Sequence, residues 1–361
     1  MTAPPRSLRL TWISSLVACL LAPTAHAGDA CLQAELAAKP EFSGVALLRQ
    51  QGQLRVAAQG AELGTETRFN LGSVSKMFTA VAVAQQVEKG KLELDAPIGR
   101  WVEGLTPEVA AVTLRQLLTH SGGLGNFFNP DNVAAMQQAR SLADLRALAR
   151  DTAPQFPPGS RFQYSNNGFL LLGLAVEKVS GQPFDAYLQQ QVFAPASMAS
   201  TSLSPAQPRA ATAGFTRLPK PGTGVAHMQR PSPDSPQRPA EEAALPGSPA
   251  GGAYGTAADL MRFFDALRAG KLVGADTLAE LTRSQIEPGP GLHYGLGFGV
   301  FDWEGHAGWG HNGGAPGVNA EALVFPADEL VLVVLANRDP PTATQQMQAL
   351  RQAALTGPLC R

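Results

Sequence analysis

Charge bias, metal-binding patterns and membrane-length apolar runs are what this 361-residue chain has little of. With 28 basic and 29 acidic residues its formal net charge is -1, so nothing draws it to nucleic acid or to an anionic membrane surface. It has 3 cysteines and neither Cys-x-x-Cys nor His-Glu-x-x-His, so no metal and no cofactor is expected. There is no internal repeat, and low complexity is confined to one proline-rich stretch. What remains is 44% hydrophobic and 16% charged residues, enough to bury a large core as one big domain or two intimately joined ones. Small-molecule chemistry fits this profile best.

The N-terminus carries Arg6 and Arg9, then an apolar run over residues 10–21, then Ala25-His26-Ala27. Twelve apolar residues are too few to span a bilayer. The pattern predicts a secretory signal over residues 1–27, cleaved after Ala27, and a periplasmic or secreted protein. A lipoprotein signal at Cys19 ranks lower, because Leu20 and Leu21 continue the apolar run beyond it. Removal of the signal leaves Cys31 and Cys360, which can pair in an oxidising compartment.

Along the mature chain, a short helix is expected over residues 30–39 and a hairpin over 43–49 and 53–58, turning at Gln50-Gln51-Gly52. Further helices are expected near 112–121, over 141–150 with Ser141 as cap, over 169–179 until Gly181 stops it, and over 256–268 with Thr256 as cap. Residues 205–249 hold 10 of the 29 prolines, which predicts an ordered excursion that walls or covers a site. Strands are expected over 295–303, 305–310, 319–326 and 329–337, and a closing helix over 342–355.

One stretch carries chemistry: Phe69-Asn-Leu-Gly-Ser-Val-Ser-Lys-Met-Phe-Thr-Ala80. Helical apolar spacing through Val74, Phe78, Val81 and Val87 puts Ser73 and Lys76 one turn apart on one face. A serine hydroxyl is a poor nucleophile unless a base takes its proton, and a partly buried lysine is one way to supply that base. By chance alone a Ser-x-x-Lys has roughly even odds in such a chain, so context decides. His120, after Leu117-Leu118-Thr119, is read as a polar residue hydrogen-bonded where a helix ends.

Ser73-Val74-Ser75-Lys76, Tyr164-Ser165-Asn166 and a late strand entering His311-Asn312-Gly313-Gly314 occur in the order and spacing of a known group. The chain resembles the serine hydrolases related to class C β-lactamases and penicillin-binding D,D-peptidases. The resemblance covers nearly the whole mature chain. It implies an α+β fold, an antiparallel sheet flanked by helices, made from residues 28–111 and 250–361, with a mostly helical insertion over 112–249. It further implies Ser73 as nucleophile, Lys76 as the cation tuning the site, and Tyr164 as a base whose pKa the lysine lowers. Asn166 would orient the acyl group, and the backbone N–H groups of Ser73 and Gly314, next to Gly313, would form the oxyanion hole.

His311 stands where the β-lactamases of that group more often have the lysine of Lys-Thr-Gly. His-x-Gly is common in its esterases and D-amino-acid peptidases, so the resemblance implies ester or amide cleavage rather than β-lactam hydrolysis. A class C-like β-lactamase, a D,D-carboxypeptidase and a penicillin sensor without turnover stay open. An α/β-hydrolase ranks low, since no Gly-x-Ser-x-Gly is present. Arg161 or Arg217 could restore a cation from a nearby loop.

Overall fold

Two apolar runs near the C-terminus, Val318–Phe325 and Leu330–Ala336, are buried along their whole length. A strand covered on both faces has no polar side to alternate with, which is why Leu330–Ala336 reads as a continuous apolar stretch and Val318–Phe325 is broken only by Asn319 and Glu321. The computed structural model describes residues 27–128, 132–149, 153–218 and 234–357. Its strands are β1 (Gly44–Gln50), β2 (Gln53–Gln59), β3 (Phe69–Asn70), β4 (Phe215–Thr216), β5 (Arg238–Pro239), β6 (Tyr254–Gly255), β7 (Ile286–Gly289), β8 (Leu292–Tyr294), β9 (Gly299–Trp303), β10 (His306–Ala315), β11 (Val318–Phe325) and β12 (Leu330–Ala336). Eight of them form one antiparallel sheet in the order β2-β1-β12-β11-β10-β9-β8-β7.

The helices are α1 (Ala27–Ala37), α2 (Lys76–Glu88), α3 (Pro107–Ala110), α4 (Leu114–Leu118), α5 (Val133–Gln138), α6 (Leu142–Leu148), α7 (Asn166–Ser180), α8 (Phe184–Leu188), α9 (Ala257–Arg268), α10 (Ala275–Thr282) and α11 (Thr342–Thr356). On one face of the sheet, Leu32, Leu36, Met347 and Leu350 of α1 and α11 pack on Leu48, Phe325 and Leu332. On the other, Val45, Leu47, Val331 and Val333 join α2, α7 and α9 in the larger core. α2 is buried all round from Lys76 to Gln86, as a helix without a polar face must be. Phe78 anchors it, edge-on to Phe193 at 5.1 Å and to Phe263 at 4.9 Å. Burying a side chain of that size contributes about 2–3 kcal/mol.

The structure departs from the sequence expectations at element ends. Ser73 lies in a 3-10 turn, Gly72–Ser75, that leads into α2, rather than in the α-helix. α1 spans 27–37, not 30–39. α7 starts at Asn166, three residues before the first apolar position, because the Ser165 hydroxyl accepts the Gly168 N–H at 3.1 Å and caps it. The strand expected from 295 starts at Gly299, and β10 runs on through His311 to Ala315, over glycines that carry no strand signal. Strands β7 and β8 were unforeseen, being 4 and 3 residues long at the sheet edge.

Of the proline-rich stretch, the described part forms the β4–β5 pair and a 3-10 turn, Glu241–Ala244. Its end is tied to α2: the Thr79 hydroxyl donates to the Pro249 carbonyl at 2.7 Å. No described helix is long and apolar enough to cross a membrane. The signal expected over 1–27 falls almost wholly outside the described residues, as does Cys360 of the expected Cys31–Cys360 pair.

Candidate active site

Because Ser73 and Lys76 sit at the junction of a 3-10 turn and α2, their side chains meet: Lys76 Nζ is 3.1 Å from Ser73 Oγ. Lys76 is completely buried, while Ser73 is half-buried at the cleft. Nζ also donates to Asn166 Oδ1 at 2.7 Å and to the Ala250 carbonyl, and it lies 4.7 Å from the centre of the Tyr164 ring. Loss of water around it holds the amine well below the ordinary lysine value. With two carbonyl oxygens taking its hydrogens, a neutral Nζ keeps a lone pair for the Ser73 hydroxyl.

Two other serines near the motif are already committed. Ser75 Oγ donates to the Gly72 carbonyl at 2.7 Å and accepts the Ala253 N–H at 2.9 Å. Ser121 is buried against the Thr119 hydroxyl at 2.9 Å. Ser73 is thus the serine paired with the lysine and open to the cleft.

Tyr164 is 38% exposed, yet its phenol end is ringed by protein and hydrogen-bonds with Ser73. Desolvation raises its hydroxyl above the ordinary tyrosine value, and the Ser73 bond offsets only part of this. The expectation that Lys76 lowers the tyrosine is therefore corrected. A buried lysine that favours its neutral form has no full charge with which to stabilise a phenolate, so the amine rather than the phenolate is the unprotonated group beside Ser73.

Asn166 lines the cleft, but its amide is engaged: Oδ1 holds Lys76, and Nδ2 donates to Asn126 Oδ1 at 2.8 Å. Asn126, the Ala250 carbonyl and Tyr294 are members of the site that sequence reading missed. They come from loops or from the short strand β8, next to the sheet edge, and carry no local pattern.

The turn at Ser73 and strand β10 approach at backbone distance. A Cβ at Gly313 would lie 2.7 Å from the Ser73 nitrogen and against the Leu71 carbonyl, and one at Gly72 would lie 3.0 Å from the Gly314 nitrogen. Only glycine fits at Gly313. That closeness sets the backbones of Ser73 and Gly314 together at the cleft that both line, where two amide donors turned to one point would form an oxyanion hole. Gly313→Ala is expected to lower kcat by about 10²-fold or more, the typical cost of losing one such donor. Steady-state kinetics together with near-UV circular dichroism will separate this from misfolding.

His311 does not line the cleft; it is buried behind it, 3% exposed. Its Nδ1 faces the Asn312 carbonyl, so Nδ1 carries the proton, and Nε2 accepts from the Tyr294 hydroxyl at 2.8 Å. Desolvation first, then the neighbouring Lys76, lower its pKa to about 3, which leaves it neutral at working pH. Arg161 stacks on Phe156 at 4.0 Å, and Arg217 pairs with Glu41 and donates to the Ser235 carbonyl. Neither lines the cleft.

The cleft beside Ser73 encloses about 70 Å³. Phe128, Met136, Leu245 and Pro246 make its apolar walls, the last two from the proline-rich stretch, and among the described residues no charged side chain lines it. Its polar lining side chains are internally bonded: Asn70 to Gly72 N–H and the Ala243 carbonyl, and Ser248 to the Gly251 carbonyl. Among the described residues no three His, Cys, Asp or Glu side chains converge to hold a metal ion.

The chain matches the Beta-lactamase family over residues 30–356. It is 32% identical over 292 residues to esterase EstB of Burkholderia gladioli, spanning 72% of this chain and 73% of that protein. Among solved structures it is similar to a penicillin binding protein from Bacillus halodurans, with TM-score 0.78 and 30% identity over 89% of this chain and 98% of that one. A D-stereospecific amidohydrolase from Streptomyces sp. superposes with TM-score 0.74 and 26% identity, over 90% of this chain and 98% of that one.

Proposed function

The chain belongs to the beta-lactamase family of serine hydrolases, and on that premise we propose that it cleaves small, uncharged esters through an acyl-enzyme on Ser73. Neutral Lys76 takes the Ser73 proton as Oγ attacks the substrate carbonyl. The Ser73 and Gly314 amides receive the developing oxyanion. Tyr164, held protonated, passes its proton to the leaving oxygen and is reprotonated from Lys76. Water then enters by the same route in reverse, which frees the acid and restores Ser73.

The observation that carries this reading is that, among the described residues, no cationic side chain lines the cleft. A lysine at position 311 would anchor the carboxylate of a β-lactam or a peptide C-terminus; a neutral imidazole whose Nε2 is taken by Tyr294 offers no charge. The apolar walls and the likeness to an esterase support the same class of substrate. Amides of D-amino acids are the second reading, supported by the likeness to the Streptomyces amidohydrolase. Export belongs to the same proposal and rests on residues 1–27.

The test compares kcat/KM for p-nitrophenyl butyrate, a chromogenic cephalosporin and a D-amino-acid amide. The wild type is expected to favour the ester, and His311→Lys to shift the ratio towards the cephalosporin by about 10-fold or more, the worth of one charge-assisted hydrogen bond. A wild type faster on the cephalosporin, or a ratio unmoved by the substitution, ends the ester reading. A preference for the amide would replace it with the second.

A further inference from the structure

His120 does not line the cleft, yet it touches Tyr164 from three directions. Its carbonyl accepts the Gln163 N–H at 2.8 Å, and its Nδ1 accepts the Ser165 N–H at 3.1 Å. These two bonds clamp the backbone on either side of Tyr164. The imidazole also lies against the phenol, ring centres 4.1 Å apart and planes 30° from parallel. The Ser165 bond additionally orients the cap of α7, whose first residue, Asn166, holds Lys76.

Two features argue against an inert core histidine. His120 adopts φ +57°, a left-handed conformation that glycine takes more easily and that a branched or bulky L-residue seldom occupies. Its ring is also an uneconomical way to fill space: it is 1% exposed, and Nε2 has no partner among the described residues. With Nδ1 accepting, Nε2 carries the hydrogen, and an unpaired buried donor destabilises a fold. An apolar ring would pack in the same place without that penalty.

We infer that His120 is a positioning residue for the Ser73 reaction: its carbonyl, its Nδ1 and its ring face together hold the Tyr164 phenol on the Ser73 hydroxyl. The inference rests on the acyl-enzyme reading above. Its reach is geometric. Freed from the Ser165 bond, Tyr164 can shift along the cleft while the apolar walls of the pocket, Phe128, Met136, Leu245 and Pro246, which come from other segments, stay as they are.

The experiment uses the full mature enzyme with His120→Phe and His120→Asn. Phenylalanine keeps a ring against Tyr164 but cannot accept from Ser165; asparagine offers Oδ1 in place of Nδ1 and tolerates positive φ. With p-nitrophenyl butyrate, His120→Phe is expected to lower kcat about 100-fold, the scale of an ångström-sized misplacement, with KM little changed. His120→Asn is expected to recover about 10-fold of that loss. Fluorophosphonate labelling of Ser73 should follow the same order, measured against the folded fraction from thermal melts.

A His120→Phe enzyme that keeps kcat within threefold of wild type overturns the inference, as does a loss that merely tracks the unfolded fraction. If His120→Phe does not fold, His120→Asn decides: full loss of kcat in a folded His120→Asn also overturns it. Failure of the underlying reading looks different, since turnover and labelling would then survive Ser73→Ala.

Discussion

Ser73→Ala is expected to lower kcat/KM for p-nitrophenyl butyrate by about 10⁵-fold and to abolish covalent labelling, since removing the nucleophile of an acyl-enzyme leaves only binding and oxyanion stabilisation. The side chain that disappears is small and half-buried, so the fold should be unaffected. Intact-protein mass spectrometry after fluorophosphonate treatment should give one adduct in the wild type and none in the variant. Ser75 and Ser121 cannot substitute for Ser73, because both hydroxyls are buried and bonded within the protein. An adduct that persists in Ser73→Ala, or maps to Ser121, would remove Ser73 from the centre of the mechanism.

Lys76→Met should lower kcat/KM by about 10³-fold, within the range for loss of a positioned general base. Its effect on stability has a sign fixed by burial. A lysine whose folded pKa lies below its ordinary value near 10.5 binds fewer protons in the folded chain than in the unfolded one. Its penalty is therefore complete below the folded pKa and fades as pH rises towards 10.5. Methionine has no such penalty. Methionine also leaves the Ala250 carbonyl and Asn166 Oδ1 without their donor, at about 1–3 kcal/mol each, but that cost does not vary with pH. Melting curves of both proteins from pH 6 to pH 10 should show the variant gaining most, or losing least, at the acid end. A difference that is flat or opposite in slope means that Lys76 is an ordinary ammonium, and the proton from Ser73 must then go to Tyr164.

Several features were legible in the residues alone because they depend on short spacing or on composition. Ser73 and Lys76 lie three apart, so any helical turn joins them, and their 3.1 Å separation follows from that spacing. The central strands and the buried helix α2 follow from predominantly apolar runs. Tyr164, Asn166 and Gly314 were reached through resemblance, since nothing local distinguishes a tyrosine that meets a serine 91 positions earlier.

What the chain's order could not convey is where water is excluded. Lys76 is buried by Tyr164 and Asn166 from one segment and by Ala250 from another, both far from it in sequence, and this enclosure rather than residue type inverts the protonation states expected of the lysine and the tyrosine. The same holds for His311, a titratable residue on paper that burial and then the neighbouring Lys76 keep neutral. Residue type and spacing specify which groups can react. Protonation states follow from desolvation, a property of the assembled packing that no short stretch of sequence contains.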